Sequence, residues 1–431
     1  MAEAAPVLSE VAEALDALLA GAAPRLGLAV SGGGDSMALM HAAADWAKAR
    51  GAALSVATVD HGLRPDSAEE AAFVARDAAA LSLPHETILW EGRGAAGNLQ
   101  AAARAARRRL LSAWAAREGL DAVALGHTMD DQAETVLMRL ARGSGVDGLS
   151  AMAARTEAEG AIWLRPLLGL RRADLRAFLE ARGAGWVEDP SNEDLRFDRV
   201  RARRSLEALD PLGLTAEGLS STAARMRSAR EALDHAAAAL AEEAAREGAC
   251  GEMRLAVAPL RAAPTELSRR LLRAALARVS GAEYGARAEA EAALMSAILS
   301  WRLGGGRSLH GCLIRPDGPS HVMLAREAAA VDPAPASLPE GGAIWDGRFF
   351  LAARAGENGL VAPLGEAGAR RLTEMAATGE WRAPAHWRAA PQAARITTPA
   401  LWRGEALAAA PLAGWGEGLT ARRAGAGWPG G

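Results

Sequence analysis

The segment Ser31-Gly32-Gly33-Gly34-Asp35-Ser36 has residue types and spacing suited to chemistry on phosphates. It links a short apolar run to a helical pattern. Glycines let the backbone turn sharply and approach a ligand without Cβ clashes. The helix behind them offers unpaired N–H groups and the positive end of its dipole. Together these make an anion site suited to pyrophosphate. The hydroxyls of Ser31 and Ser36 add hydrogen bonds. Asp35 would repel bare phosphates, so its presence makes sense with a divalent cation between them. A plain glycine turn is the alternative. The strand-to-helix context and the flanking Ser and Asp-Ser favour the phosphate site. The segment has neither the Gly-Lys-Ser/Thr of a Walker A loop nor the G-x-G-x-x-G spacing of dinucleotide folds.

A second constellation is Gly126-His127-Thr128-Met129-Asp130-Asp131-Gln132-Ala133-Glu134-Thr135. His127 and Asp131 are four apart, and Asp131 and Glu134 three apart, so a helix sets all three on one face. His127 precedes the helix proper. The plainer alternative is that Asp130 and Asp131 cap the helix and Glu134 is a solvated charge. Asp60-His61, after the second apolar run, reads as a turn or as part of the same ligand site. Arg104 and Arg107, at i and i+3, can face one ligand, and a guanidinium binds phosphate bidentately. Arg107, Arg108 and Arg109 are consecutive and cannot all do so. Arg196, Arg199, Arg201, Arg203 and Arg204 exceed what a helix dipole needs and read as a phosphate-contacting surface.

The elements that must position these residues follow from periodicity. Strands are expected over Arg25 to Val30, Ala53 to Asp60, His85 to Trp90 and Ala122 to Gly126. Helices are expected over Asp35 to Arg50, Asp66 to Leu81, Asn98 to Glu118 and Asp130 to Arg142. This alternation predicts an α/β fold with a parallel sheet and helices on both faces. Ligands then bind beyond the carboxyl ends of the strands, where both constellations fall.

The chain has 431 residues, which implies more than one core. We expect a catalytic domain over 1–210, a helical domain over 211–303 and a small C-terminal α+β domain over 304–431. Scattered tryptophans in the last (Trp381, Trp387, Trp402, Trp415) read as core. Net charge is −3, so a nucleic-acid partner has to rest on local arginine clusters. Cys250 and Cys312, the only cysteines, make neither a disulfide scaffold nor a zinc site. No apolar run reaches membrane-spanning length. The N-terminus reads as an amphipathic helix (Leu8, Val11, Leu15, Leu18, Leu19) without the basic start of a signal peptide. A cytosolic location is expected.

The loop at 31–36 resembles the S-G-G-x-D-S loop of the ATP pyrophosphatase (PP-loop) superfamily. Further segments resemble tRNA(Ile)-lysidine synthases: Val59 to Arg64, Asn98 to Arg107, Gly126 to Thr135, Arg139, Arg142 to Gly145, Gly148-Leu149, Met152, Arg165 to Leu168, Trp186 to Asn192 and Asp198 to Arg203. The match covers about half the chain. The resemblance implies that ATP adenylates C2–O of the wobble cytidine in a CAU-anticodon tRNA(Ile). The ε-amine of free L-lysine then displaces AMP. It implies ATP contacts at Ser31, Gly32, Gly33, Gly34, Asp35, Ser36, Asp60 and His61, and lysine recognition by Asp131 and Glu134. Asp35, Arg107, His127 and Asp131 are the expected catalytic residues, with His127 as base. Mg2+ is assigned to Asp35 and Asp130, and tRNA contacts to Arg199, Arg201, Arg203 and Arg204. A sulfur-transferring relative is disfavoured, because the N-terminal half has no cysteine.

Overall fold

The computed structural model describes residues 4–19, 24–62, 67–90, 99–188, 194–282, 287–354 and 356–424. Leu63, Arg64, Asp66, Asn98 and the stretch 189–192 lie outside the described residues. The chain divides into two compact units, Met1–Arg230 and Glu231–Gly431.

The first unit opens with helix α1 (Ala4–Leu18). Strand β1 (Arg25–Ala29), helix α2 (Gly34–Arg50), β2 (Ala53–Asp60), α3 (Ser67–Ala80), β3 (His85–Leu89), α4 (Leu99–Glu118), β4 (Ala122–Leu125) and α5 (Met129–Leu140) then alternate. All four expected strands are present, each within a residue of its expected end. A short helix α6 (Val146–Leu149) precedes two strands that periodicity did not reveal, β5 (Arg155–Ala158) and β6 (Ala161–Leu164). They form a tight antiparallel hairpin turning through Glu159 and Gly160, both at positive φ. Four-residue runs are too short to carry a period. The unit continues with α7 (Arg172–Ala181), α8 (Asp198–Leu209) and the start of α9 (Ala216–Ala244).

The sheet order is β3-β2-β1-β4-β6-β5. All neighbours are parallel except the β5–β6 pair. Both faces are covered, so the central strands are apolar throughout rather than alternating. Leu26, Leu28, Val56 and Ala124 pack with Met37 and Met40 of α2 and Phe178 and Leu179 of α7. On the other face Ala29, Ala57 and Val123 pack with Leu111 and Trp114 of α4 and Trp163 of β6. Trp114 is fully buried, so truncating it to Ala should cost about 3–5 kcal/mol. Val7, Val11 and Leu15 form the buried stripe of α1 at i, i+4, i+8. The chain winds outward from β1 in both directions, so the topological switch point lies between β1 and β4. The loops leaving those two strands are the phosphate loop and the 126–134 segment.

In the second unit, β7 (Ala245–Glu247) and β8 (Met253–Ala256) interrupt the stretch expected to be helical up to residue 303. Alternate burial of Met253 and Leu255 is the mark of a strand, and it is too brief to see beside α9. Helices α10 (Val257–Ala262), α11 (Thr265–Ser280) and α12 (Ala288–Leu299) follow. They pack on an antiparallel sheet in which β8 pairs with β11 (His321–Arg326), and β11 in turn with β10 (Cys312–Asp317), itself beside β9 (Arg307–Leu309). This sheet joins residues from both sides of Gly304. Two further antiparallel sheets complete the unit. Trp387 is buried, and Trp381, Trp402 and Trp415 pack against the same core, as expected of structural aromatics. Burial pushes the thiols of Cys250 and Cys312 up to about 12, which removes them from thiolate chemistry. Among the described residues, no helix is long and apolar enough to cross a membrane.

Candidate active site

The phosphate loop leaves β1 at Val30 and enters α2 at Gly34. Gly32 has φ +90°, a conformation that strains any residue with a side chain. Ser36 ties the turn together: its Oγ donates to Gly33 O at 2.9 Å and accepts from Ser31 N at 3.2 Å. Val187 N donates to Gly32 O at 2.9 Å, and the Trp186 indole lies against Gly34. The residues expected to grip phosphate thus form a braced turn at a helix N-terminus. Asp35 points from the first turn of α2 toward α7, where its Oδ2 accepts from Arg172 Nε at 3.0 Å. Its Oδ1 is buried and finds no partner among the described residues. Burial raises the Asp35 pKa, against the pull of Arg172.

Helix α5 begins with a capping box. Thr128 Oγ1 accepts from Asp131 N, while Asp131 Oδ2 accepts from Thr128 N at 2.9 Å. The capping alternative is therefore true of one oxygen of Asp131 only. The other, Oδ1, faces Arg172 Nη2 at 3.2 Å and Arg199 Nη1 at 3.7 Å. Glu134, one turn on, has a side chain 1 % exposed. Its Oε1 accepts from Arg203 Nε at 3.0 Å, and its Oε2 is buried without a partner among the described residues. Burial, helped by the Asp131 charge, raises its pKa against Arg203 and Arg172. Gln132 anchors the helix from its other side by exchanging two 2.8 Å bonds with the Met152 backbone.

The Asp130 carboxylate accepts from Arg171 Nη2 at 3.1 Å and from Arg172 N at 2.8 Å. Those bonds hold its pKa low despite burial. Both oxygens thus help to position α7.

His127 has its Nδ1 buried without a partner among the described residues. Burial, aided by the charges of Arg165, Arg199 and Arg107 and opposed by Asp131, lowers its pKa to about 4. It is therefore neutral at pH 7. Arg107 is desolvated, its pKa lowered by burial and by the charge of Arg104, and its own charge helps to lower that of His61. Arg108 turns away to Glu159 at 3.4 Å, as consecutive positions require. Asp60 Oδ1 accepts from Gly62 N at 2.7 Å, closing the turn after β2. His61 packs edge-on against Trp90, and burial lowers its pKa.

The arginine-rich helix α8 is divided. Arg199 and Arg203, four apart, turn inward onto Asp131 and Glu134. Arg201, paired with Asp198, and Arg204 remain exposed. The side chains of Arg199 and Arg203 remain 37 % and 34 % exposed, so all four arginines reach the surface, the second pair more fully.

The residue missed in the sequence is Arg172, which reaches Asp35, Asp131 and Glu134 at once. A signal for it existed. Arg171 and Arg172 are the N-cap and first residue of α7. Cations are disfavoured at that positive end of the helix dipole, so an arginine pair there implies carboxylate partners from elsewhere.

A parallel sheet with a glycine loop and a carboxylate-bearing helix at its switch point is the arrangement of a nucleotide-binding PP-loop domain. The family described as PP-loop domain matches residues 7–209. The chain is 47% identical over 397 residues to the tRNA(Ile)-lysidine synthase of Ruegeria pomeroyi, covering 92% of this chain and 90% of that protein. It is 41% identical over 323 residues to the tRNA(Ile)-lysidine synthase of a Bradyrhizobium species, covering 72% of this chain and 90% of that one. The chain belongs to the tRNA(Ile)-lysidine synthase family, as the motifs implied. Among solved structures it is similar to a U34-tRNA thiolase from Methanococcus maripaludis, with TM-score 0.45 and 16% identity over 52% of this chain and 78% of that one.

Proposed function

We infer that this chain ligates free L-lysine to C2 of the wobble cytidine of CAU-anticodon tRNA(Ile), consuming ATP. The observation that carries this reading is the convergence of Asp131 and Glu134 on Asp35 of the phosphate loop, within reach of one guanidinium. An anion cradle beside a carboxylate pair suits a triphosphate beside a cationic amine. In the first step the cytidine C2 oxygen attacks the α-phosphorus, and pyrophosphate leaves. In the second the lysine ε-amine attacks C2, AMP leaves, and the amine gives up its proton.

The residues divide the work accordingly. Gly32, Gly33, Gly34 and the hydroxyls of Ser31 and Ser36 hold phosphate oxygens, and Arg107 adds positive charge from α4. Asp60 and His61 border the nucleotide from β2. Asp131 and Glu134 hold the amine. His127, neutral and with an open Nδ1, accepts the proton. The arginines that lower its basicity are opposed by the nucleotide's phosphates, so its proton affinity rises when the site fills. The unpartnered Oδ1 of Asp35 would hold a Mg2+ ion, a hard cation that takes oxygen ligands. When bound, that ion neutralises phosphate charge and lets Asp35 lie beside it. Arg201 and Arg204 contact the tRNA backbone, and residues 211–303 and 304–431 help hold the tRNA. The location that suits this substrate is the cytoplasm.

The test is incorporation of labelled lysine into a CAU-anticodon tRNA(Ile) transcript, with AMP and pyrophosphate measured together. One AMP and one pyrophosphate per lysine is expected. Pyrophosphate release without lysine transfer would refute the reading.

A further inference from the structure

Three carboxylates and three guanidiniums meet at the switch point: Asp35, Asp131 and Glu134, with Arg172, Arg199 and Arg203. Arg203 serves Glu134 and Arg199 serves Asp131. Among the described residues, Arg172 alone spans the set. Its Nε lies 3.0 Å from Asp35, its Nη2 3.2 Å from Asp131 and its Nη1 3.7 Å from Glu134. Burial works against its charge, but Asp35 and Asp131 overcome that and hold its pKa above the ordinary arginine value.

This balance has a consequence for any incoming cation. The cluster is already neutral, three charges against three. An ammonium entering between Asp131 and Glu134 meets a guanidinium of like charge in the same place. Yet an acceptor remains for it, because Glu134 Oε2 is buried without a partner among the described residues. The backbone of Arg172 is pinned by Asp130 through its N–H at 2.8 Å, so only its long side chain can give way. The nearest new counter-charge is a phosphate in the loop that carries Asp35, the residue to which Arg172 Nε already donates.

We propose that Arg172 is a positioning residue that reserves the amine slot until nucleotide arrives. Its guanidinium bridges Asp35 to Asp131 and Glu134. With ATP in the loop its guanidinium turns onto phosphate oxygens, and the two α5 carboxylates open to lysine. Lysine therefore binds after ATP. This rests on the reading that Asp131 and Glu134 take the amine.

The experiment is calorimetric titration of lysine into the full chain, with and without Mg2+ and α,β-methylene-ATP. In the wild type the nucleotide tightens lysine binding by about tenfold, an ordinary size for coupling between two sites. In Arg172→Gln the nucleotide-free protein binds lysine as tightly as the nucleotide-loaded wild type, the coupling vanishes and kcat falls. Arg172→Lys keeps the charge and a reduced coupling. It decides the matter if the Gln variant does not fold, since coupling of wild-type size in it overturns the proposal. Equal lysine affinity in both states of the wild type, or a folded Arg172→Gln that keeps the coupling or weakens lysine binding in both states, overturns it too. The underlying reading fails separately, if Asp131→Asn and Glu134→Gln leave wild-type lysine affinity unchanged.

Discussion

Gly126→Ala is a one-carbon change that should disable the phosphate loop from the outside. Gly126 follows β4, immediately before His127, and lies against the turn that opens α2. A Cβ there would sit 3.0 Å from both Cα and N of Ser36 and 3.1 Å from the carbonyl carbon of Asp35. Carbon atoms prefer separations of about 3.5–4.0 Å, so the turn has to retreat by roughly half an ångström. The obstructing atoms are backbone and cannot rotate aside. Ser36 N is bonded to Gly33 O at 3.0 Å, and Ser36 Oγ holds both Gly33 O and Ser31 N. The retreat therefore moves the whole anion cradle. Overpacking of this kind costs about 1–3 kcal/mol of stability. A displacement of 1 Å can cost about a hundredfold in rate, so half of it should cost on the order of tenfold. The assay is tRNA-dependent pyrophosphate release at saturating lysine, with KM for ATP and the melting temperature recorded. Gly169→Ala is the control, since a Cβ there meets nothing within 4 Å. Wild-type kcat, KM for ATP and melting temperature in Gly126→Ala would show that the loop is not held where its geometry says it is.

Other outcomes follow from the same geometry. Glu134→Gln keeps the side-chain volume and removes a buried charge. Loss of a charge-assisted hydrogen bond, about 1.5–3 kcal/mol, should raise the lysine KM by roughly 10- to 150-fold, and an unchanged KM counts against Glu134 as an amine ligand. His127, with its pKa lowered to about 4, stays neutral in the folded protein while the unfolded chain takes a proton below its ordinary value of about 6.5. Its contribution is thus complete above pH 6.5 and is lost as pH falls toward 4, to a total of about 3 kcal/mol. Urea denaturation of wild type and His127→Gln should show that difference between pH 7 and 4, and parallel pH curves would contradict it. Arg201→Ala with Arg204→Ala should lower the slope of log affinity against log salt for tRNA by about 1–2, whereas Arg203→Ala should leave the slope alone and raise the lysine KM. The opposite pattern would reverse the assignment of the two faces of α8.

Local features were legible in the chain before any fold was known. The glycine loop, the capping segment of α5 and the alternation of strand and helix are encoded within a few neighbouring residues, and the structure repeats them almost to the residue. The i, i+4 spacing of Arg199 and Arg203 was readable as well. Which side of α8 faces the carboxylates was not, because a period states that two residues share a face without stating what the face meets. Tertiary structure decided the rest. Pairing β1 with β4 brings the loop at 31–36 beside the segment at 126–134, and no short-range pattern records that choice. Arg172 lies 137 residues from Asp35 in the chain, yet its guanidinium joins the two halves of the site. Asp130 stands next to Asp131 in sequence, yet in space it meets Arg171 and the backbone of Arg172. Charges act through distance and burial, so the role of each carboxylate was set only once packing had fixed which cation it would meet.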